Sequence, residues 1–276
     1  MKWLSISIFV PTDKWHSLFK EVIQPFVDKL SEEERIYSFY VGFGYLGGEH
    51  IRLALLVSKR SAYEVAKYID GYFKEILSRL NFVELPTDPI YDGIFSPVPQ
   101  NTIHYGLFST TTLPKVGSRL ALQQAFSKAI LTALSEEIVD DDIILTFALY
   151  IHFICYKVFP ELKHSLLKEN FLITKIRQEE YQVQKNSDND LSDIKYKMLL
   201  EGMHEIYEDV MNPSNLEGQS SWIESWQNTF HELLLSTNNR KEGDTLFHYV
   251  NLLINQQLVL GGFSSAVFAK FILTRQ

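Results

Sequence analysis

The chain has 276 residues, 46% of them hydrophobic and 22% charged, with a formal net charge of −8. That content supports a packed core in one large domain or two small ones. The acidic balance argues against general nucleic-acid binding, which needs basic surface against phosphates. The single cysteine, Cys155, lies in the largely apolar run Tyr150 to Val158. It excludes an internal disulfide framework, points to a reducing cytoplasm and reads as a small buried hydrophobe. No apolar run approaches the roughly 20 residues of a membrane-spanning helix.

Trp3 to Val10 alternates apolar and polar residues and reads as a strand. It is not a signal peptide, because no small-residue cleavage site follows. Pro11-Thr12-Asp13 is a break with capping residues. Asp13 to Leu30 then carries Trp15, Leu18, Phe19, Val22, Phe26 and Leu30 at helical spacing. Ile36 to Phe43 is a second strand and Ile51 to Val57 a third, joined through Gly47-Gly48 as a hairpin. Ser61 caps a helix that runs to Leu80. Asn81 to Asn101 holds Pro86, Pro89, Pro97 and Pro99 and little periodicity. Irregular connections of that length are unusual unless they serve a site or a partner, so the segment is expected to border a cleft or an interface. Thr102 to Phe108 reads as a fourth strand.

The order β-α-β-β-α-β is the ferredoxin-like arrangement. It predicts an antiparallel sheet with both helices on one face, the first and third strands central and the fourth at an edge. From Gly117 the pattern turns to helix after helix. The segments are Ser118–Ser135, Asp140–Phe159, Pro160–Lys185, Leu191–Met211, Ser220–Thr237, Lys241–Gln257 and Phe263–Thr274, with polar breaks at Asn186–Asp190 and Asn212–Gly218. The expected architecture is α+β: a ferredoxin-like part over 1–115 and a mainly helical part over 116–276, packed together as one unit.

The stretch from Phe43 to Leu53 carries the most chemical information. It delivers His50 and Arg52, two residues apart, just after a tight reversal. Residues i and i+2 of a strand share a face. An arginine there suits a carboxylate or phosphate, whose two oxygens its planar fork can bind at once; the plainer reading is a solvated strand end. His104, on the fourth strand, falls two strands from Arg52. If both face one cleft they make a small cationic site, and otherwise His104 is a surface residue of an edge strand. The sequence has no phosphate-cradling glycine loop, no Gly-x-Ser-x-Gly elbow and no His-Glu-x-x-His pair. Its eight histidines do not cluster at metal-ligand spacing, so neither a metal nor an organic cofactor is implied. His248 reads as a partly buried histidine. His204 and Glu208, one helical turn apart, read as a surface pair before a general acid–base unit. Asp140-Asp141-Asp142 reads as a helix N-terminal cap. Tyr91 and Phe95 of the long loop could line a peptide groove.

Three segments together resemble a known family. They are Trp3-Leu4-Ser5-Ile6-Ser7-Ile8-Phe9, the helix with Val22-Ile23-Gln24-Pro25-Phe26, and Gly47-Gly48-Glu49-His50-Ile51-Arg52-Leu53. The family is that of the lantibiotic dehydratase C-terminal domain, which also occurs as the stand-alone thiopeptide-type bacteriocin biosynthesis protein. There the opening strand is Trp-led, a proline sits in the first helix, and the hairpin reads Gly-Gly-x-His-φ-Arg-φ-Arg, with φ apolar. A later strand carries Glu-x-x-Arg-Tyr-Gly-Gly, and the last helix His-Met-x-x-Asn-Arg. The likeness spans the whole chain and is specific over its first 60 residues. His50 and Arg52 match the hairpin's His and first Arg, while Ala54 stands at the second Arg. His104-Tyr105-Gly106-Leu107 falls where Arg-Tyr-Gly-Gly would be, with Asn101 for the Glu. Lys270 stands for the catalytic His, and Thr274-Arg275 for Asn-Arg.

The resemblance implies work on ribosomally made peptides. The dehydratase branch eliminates glutamate from glutamylated Ser or Thr. The pyridine-synthase branch joins two dehydroalanines in a formal [4+2] cyclisation, then loses water and the leader peptide. The missing arginines point away from glutamate elimination and toward a pyridine-synthase-like or diverged member. The first expectation is therefore a lyase-like enzyme of lanthipeptide or thiopeptide maturation. It would act in the cytoplasm on a dehydrated precursor bound through its leader, without cofactor. Arg52, His50, His104 and Lys270 would carry the chemistry, with Tyr105 as proton donor, and cationic charge would stabilise an enolate- or amide-like intermediate. The second expectation is a non-catalytic partner that binds the precursor or a companion dehydratase. The third is a ferredoxin-like binding module for a small anion. Clustering of Arg52, His104 and Lys270 in one pocket would favour the first.

Overall fold

The computed structural model describes residues 1–45, 47–80, 98–136, 141–162, 201–212, 221–236, 240–260 and 263–274. Most of the predicted Asn81–Asn101 connection, Tyr91 and Phe95 with it, lies outside them. So do most of the predicted Pro160–Lys185 helix and the first half of Leu191–Met211.

The chain is α+β and begins with β1 (Lys2–Phe9). Trp15 then opens a helical stretch in three pieces: α1 (Trp15–Leu18), a wide turn over Phe19–Ile23, and α2 (Gln24–Glu32). Pro25 explains the wide turn. Its ring and missing N–H do not fit a regular i→i−4 ladder. The backbone loosens instead, and Gln24 N–H reaches the Phe19 carbonyl five residues back. The strands β2 (Ser38–Gly44) and β3 (His50–Val57) follow, then α3 (Ala62–Leu80), β4 (Thr102–Tyr105) and α4 (Gly117–Glu136). The hairpin between β2 and β3 needs its glycines: Gly47 and Gly48 sit at φ +80° and +116°, which side chains rarely adopt.

The sheet has four strands, all antiparallel, in the order β2-β3-β1-β4. The first and third strands are central, and the second and fourth are edges. From Leu53 to Val57 β3 is apolar and buried, because both of its faces are covered there. On one face, Phe43 stacks on Trp15 with centroids 4.7 Å apart and meets Phe19 edge-on. Phe26 of α2 packs on Tyr72 and Phe73 of α3. On the other face, Trp3, Tyr40, Ala54 and Leu56 form a core cluster with Leu113, Phe108 and Leu120.

Helix α4 covers the β2 edge. Its Gln123 donates to the Phe39 carbonyl at 2.7 Å, and the Val41 N–H donates to Ser127 Oγ at 3.2 Å. Two backbone groups that an open edge would leave bare are thereby satisfied. A remote piece of chain joins them: Ser127 Oγ donates to Gln257 Oε1 at 3.0 Å, and the Tyr40 hydroxyl donates to the Gln256 carbonyl at 3.1 Å. The first compact unit is accordingly Met1–Ile143 together with Gln256–Val259. It takes in α4, which the change of sequence pattern at 115/116 assigns to the helical part.

The second unit is Ile144–Asn255 with Leu260–Gln276. Its helices are the body of α5 (Asp141–Val158), α6 (201–211), α7 (Ser221–Leu235), α8 (Arg240–Leu253) and α9 (Phe263–Thr274). The core is aromatic. Phe153 meets Phe268 and Phe271 edge-on at 5.1 and 5.4 Å, and Phe147 packs on Trp222. Cys155 is buried there, as expected, and burial pushes its thiol pKa up. Among the described residues, no helix is long and apolar enough to cross a membrane.

Candidate functional site

The strand register decides which side chains share a face. Arg52 lies opposite Gly42 on β2 and Ser7 on β1, and Ser7 lies opposite His104 on β4. Gly42, Arg52, Ser7 and His104 thus form one row across all four strands, on a single face. The next row is Gly44, His50, Phe9 and Thr102. Residues two apart on a strand share a face, so both rows look the same way, opposite to the Trp15 and Phe43 stack. The expectation that His104 shares a sheet with Arg52, two strands away, describes this placement.

Glycine makes the room. A Cβ on Gly44 would overlap His50 Nε2 and Arg52 Nε, which both lie over that position. A Cβ on Gly42 would come within 2.8 Å of Gln257 Cα. The guanidinium of Arg52 sits 5.7 Å from the centroid of the Phe108 ring, a cation–π contact. Its Nε is buried with no hydrogen-bond partner, and Arg52 makes no ion pair among the described residues. The nearby carboxylate of Glu49 is taken by the Thr12 hydroxyl. A partly buried guanidinium without a counter-charge is unusual, because desolvated charge is costly unless compensated.

His50 is 2% exposed. Its Nδ1 donates to the Gly48 carbonyl at 2.8 Å, and its ring packs on Phe9 with centroids 4.6 Å apart. Burial, reinforced by the positive charge of Arg52 and opposed by the Gly48 bond, lowers its pKa. His104 meets the other side of Phe9 edge-on at 5.5 Å, and its Nε2 lies 3.1 Å from Thr102 Oγ1. It borders a recess of about 490 Å3 along β4, which Lys74, Leu77 and Ser78 of α3 also line.

Tyr105 follows His104 on the strand and so faces the α3 side of the sheet. It is half exposed, and burial together with Asp70 of α3 pushes its pKa up to about 12. It is therefore not beside Arg52. Lys270 belongs to the second unit, on α9, and is exposed. Arg275 lies outside the described residues. Ala54, at the place of the family's second arginine, is fully buried in the Trp3 and Leu56 cluster. His248 is exposed, which corrects its reading as partly buried: it falls on the outer side of α8, between the buried Phe247 and Tyr249. His204 and Glu208 form an exposed pair at 3.8 Å. Asp141 opens α5, in keeping with a cap.

Two features of the site escaped the sequence reading. Ser7 is fully buried between Arg52 and His104 with its Oγ unpartnered. It alternates in phase with Phe9 and Trp3, a signal that needs the β1 register to become visible. The Gly42-x-Gly44 pair, on the face of His50 and Arg52, was legible from spacing alone. Among the described residues, no group of three or more His, Cys, Asp or Glu side chains could hold a metal ion.

Solved structures share this fold. The chain matches the pyridine synthase TbtD from thiomuracin biosynthesis at 13% identity and a TM-score of 0.61, over 98% of this chain and 96% of that one. It matches TsrL at 12% identity and a TM-score of 0.52, over 99% and 93%. The tRNA-dependent lantibiotic dehydratase MibB from Microbispora sp. 107891 aligns at 12% identity and a TM-score of 0.43, over 28% of its length. No protein-family model and no curated protein matches the sequence.

Proposed function

We propose that this chain acts in the maturation of a ribosomally synthesised peptide natural product. It performs an elimination or a cyclisation-elimination on a dehydrated precursor held through its leader. The observation that carries the reading is the fold shared with the thiomuracin pyridine synthase over nearly the full length of both chains. The motif resemblance in the hairpin supports it independently, since it brings His50 and Arg52 to one face. Arg52 holds the substrate's polar group and stabilises developing negative charge. His50 and His104 flank it as proton acceptors. Lys270 is assigned a lesser role, as a second cation. The sheet with its helices is read as a ferredoxin-like unit, on the support of its strand order. A reducing cytoplasm suits the lone buried thiol.

The test is direct. The purified chain is incubated with the dehydrated form of a short precursor encoded beside its gene, and the products are weighed by mass spectrometry. Loss of water together with the leader is the expected result. An unchanged mass, with the peptide bound, would leave the reading as a lyase-like enzyme without support.

A second reading has its own observation. The burial of Ala54 in the apolar cluster leaves no place for a second arginine on β3. That favours a non-catalytic partner that presents the precursor, or a companion dehydratase, and it predicts binding without any mass change.

A further inference from the structure

The two edges of the sheet differ. Helix α4 closes β2, but among the described residues nothing pairs with the outer side of β4. The Gly106 N–H donates to the Ser5 carbonyl at 3.2 Å, which makes these two a bonded pair of the β1–β4 ladder. Bonded and non-bonded pairs alternate along antiparallel strands. Ser7 and His104 are therefore the next bonded pair, and the N–H and C=O of Ile103 and Tyr105 turn away from β1. Neither residue makes a hydrogen bond on that side among the described residues. The edge is within reach of solvent: Tyr105 is 47% exposed, and Thr102, Ile103 and His104 are partly exposed.

Beside this edge lies the recess of about 490 Å3. Asn101, Thr102, Ile103 and His104 all line it, although successive residues of a strand point to opposite faces. The recess therefore runs along the outer edge of β4 and not over one face, with Lys74, Leu77 and Ser78 of α3 as its other wall. Lys74 is paired with Asp70 at 2.9 Å, so this wall offers an ion no uncompensated charge. What the edge offers is two outward donors and two outward acceptors, repeated every ~7 Å as an extended backbone repeats its own. We propose that the outer edge of β4 binds an extended peptide segment by strand addition. The peptide residue opposite Ile103 shares its face and sets its side chain against Leu77. The residues on either side of it extend the Thr102 and His104 rows, and the His104 row continues through Ser7 to Arg52. The occupant is the precursor peptide, and in naming it the assignment rests on the peptide-maturation reading.

Amide hydrogen exchange of the full-length protein is measured with and without the short precursor peptide encoded beside its gene. The Ile103 and Tyr105 amides should exchange quickly in the free protein and slow down when the peptide is added. Tyr105→Pro removes an outward N–H and leaves the β1 ladder intact. It should weaken peptide binding roughly tenfold, the size of one lost hydrogen bond. Tyr105→Val keeps the N–H and should bind as the wild type does. The exchange measurement needs no variant, so it stands even if the proline variant does not fold. Ile103 and Tyr105 amides already protected in the free protein would mean that the chain itself or a second copy closes the edge, and would overturn the assignment. Undiminished binding by Tyr105→Pro, an equal loss in Tyr105→Val, or peptide protection confined to other strands also overturns it. Mass spectrometry of precursor processing is read separately. Processing without protection at β4 removes the docking edge and keeps the maturation reading, whereas protection at β4 without any mass change does the opposite.

Discussion

Arg52 is the residue on which the functional reading turns, and its surroundings set what its removal should do. It leans on Phe108 without an ion pair among the described residues, so replacing it breaks no salt bridge. Arg52→Ala should abolish precursor processing while changing unfolding free energy by no more than about 1 kcal/mol, the scale of a cation–π contact. A chemical denaturation curve alongside the mass-spectrometric assay checks both halves. Wild-type processing by the mutant would end the assignment. His50→Phe should keep the packing on Phe9 but lose the Nδ1 bond to the Gly48 carbonyl, costing about 1 kcal/mol in denaturation, and should depress processing; wild-type processing at that stability cost would leave His50 a structural role alone. The pair was legible in sequence because a hairpin turn and a two-residue spacing are local signals. Ser7 was not, because its neighbours Arg52 and His104 come from strands far along the chain. Tyr105, named as a proton donor beside the match to Arg-Tyr-Gly-Gly, follows His104 on β4 and so faces the other side of the sheet.

Among elements, β2 depends most on distant partners. Its outer edge is closed by Gln123 and Ser127 of α4, and Ser127 also holds Gln257. Ser127→Ala strips a partner from the buried Val41 N–H and from Gln257, and should cost about 1–3 kcal/mol in urea unfolding. Ser127→Thr, which keeps the hydroxyl, should recover part of it; equal losses in the two variants would mean that packing volume matters more than the hydrogen bonds. Gly42→Ala should destabilise by a similar amount, since its Cβ would strike the Gln257 backbone. The elements themselves were mostly legible. Predicted Phe263–Thr274 coincides with α9, and Ser118–Ser135 lies within α4. The run Lys241–Gln257 reads as one helix, but regular α8 stops at Leu253 and a wide turn follows over Ile254–Leu258. Apolar periodicity cannot register that change, because its cause is tertiary: Gln257 has to meet Ser127 and lie against Gly42.

At the scale of the molecule, the second unit carries a built-in sensitivity to acid. His152 is fully buried, stacks on Phe268 at 5.0 Å, and neither ring nitrogen has a partner. Burial pushes its pKa down to about 3 from the ordinary 6.5. The unfolded chain therefore takes up this proton first as pH falls. Stability is unaffected above pH 6.5 and declines below it by up to about 1.4 kcal/mol per pH unit, until the folded value is reached. His152→Leu should flatten that decline. Denaturation midpoints measured between neutral pH and pH 4 for both proteins check it, and parallel curves would refute it. The α+β class was readable from the switch between alternating and helical periodicity. The division at 115/116 followed the same switch, yet α4 joins the sheet, because side-chain hydrogen bonds to a strand edge leave no trace in hydropathy. Four residues, Gln256–Val259, complete the first unit from far along the chain. That has a consequence in time. During synthesis the sheet emerges early, but its β2 edge lacks its last partner until more than a hundred further residues have left the ribosome, so the nascent chain must carry an unfinished edge through most of its own translation.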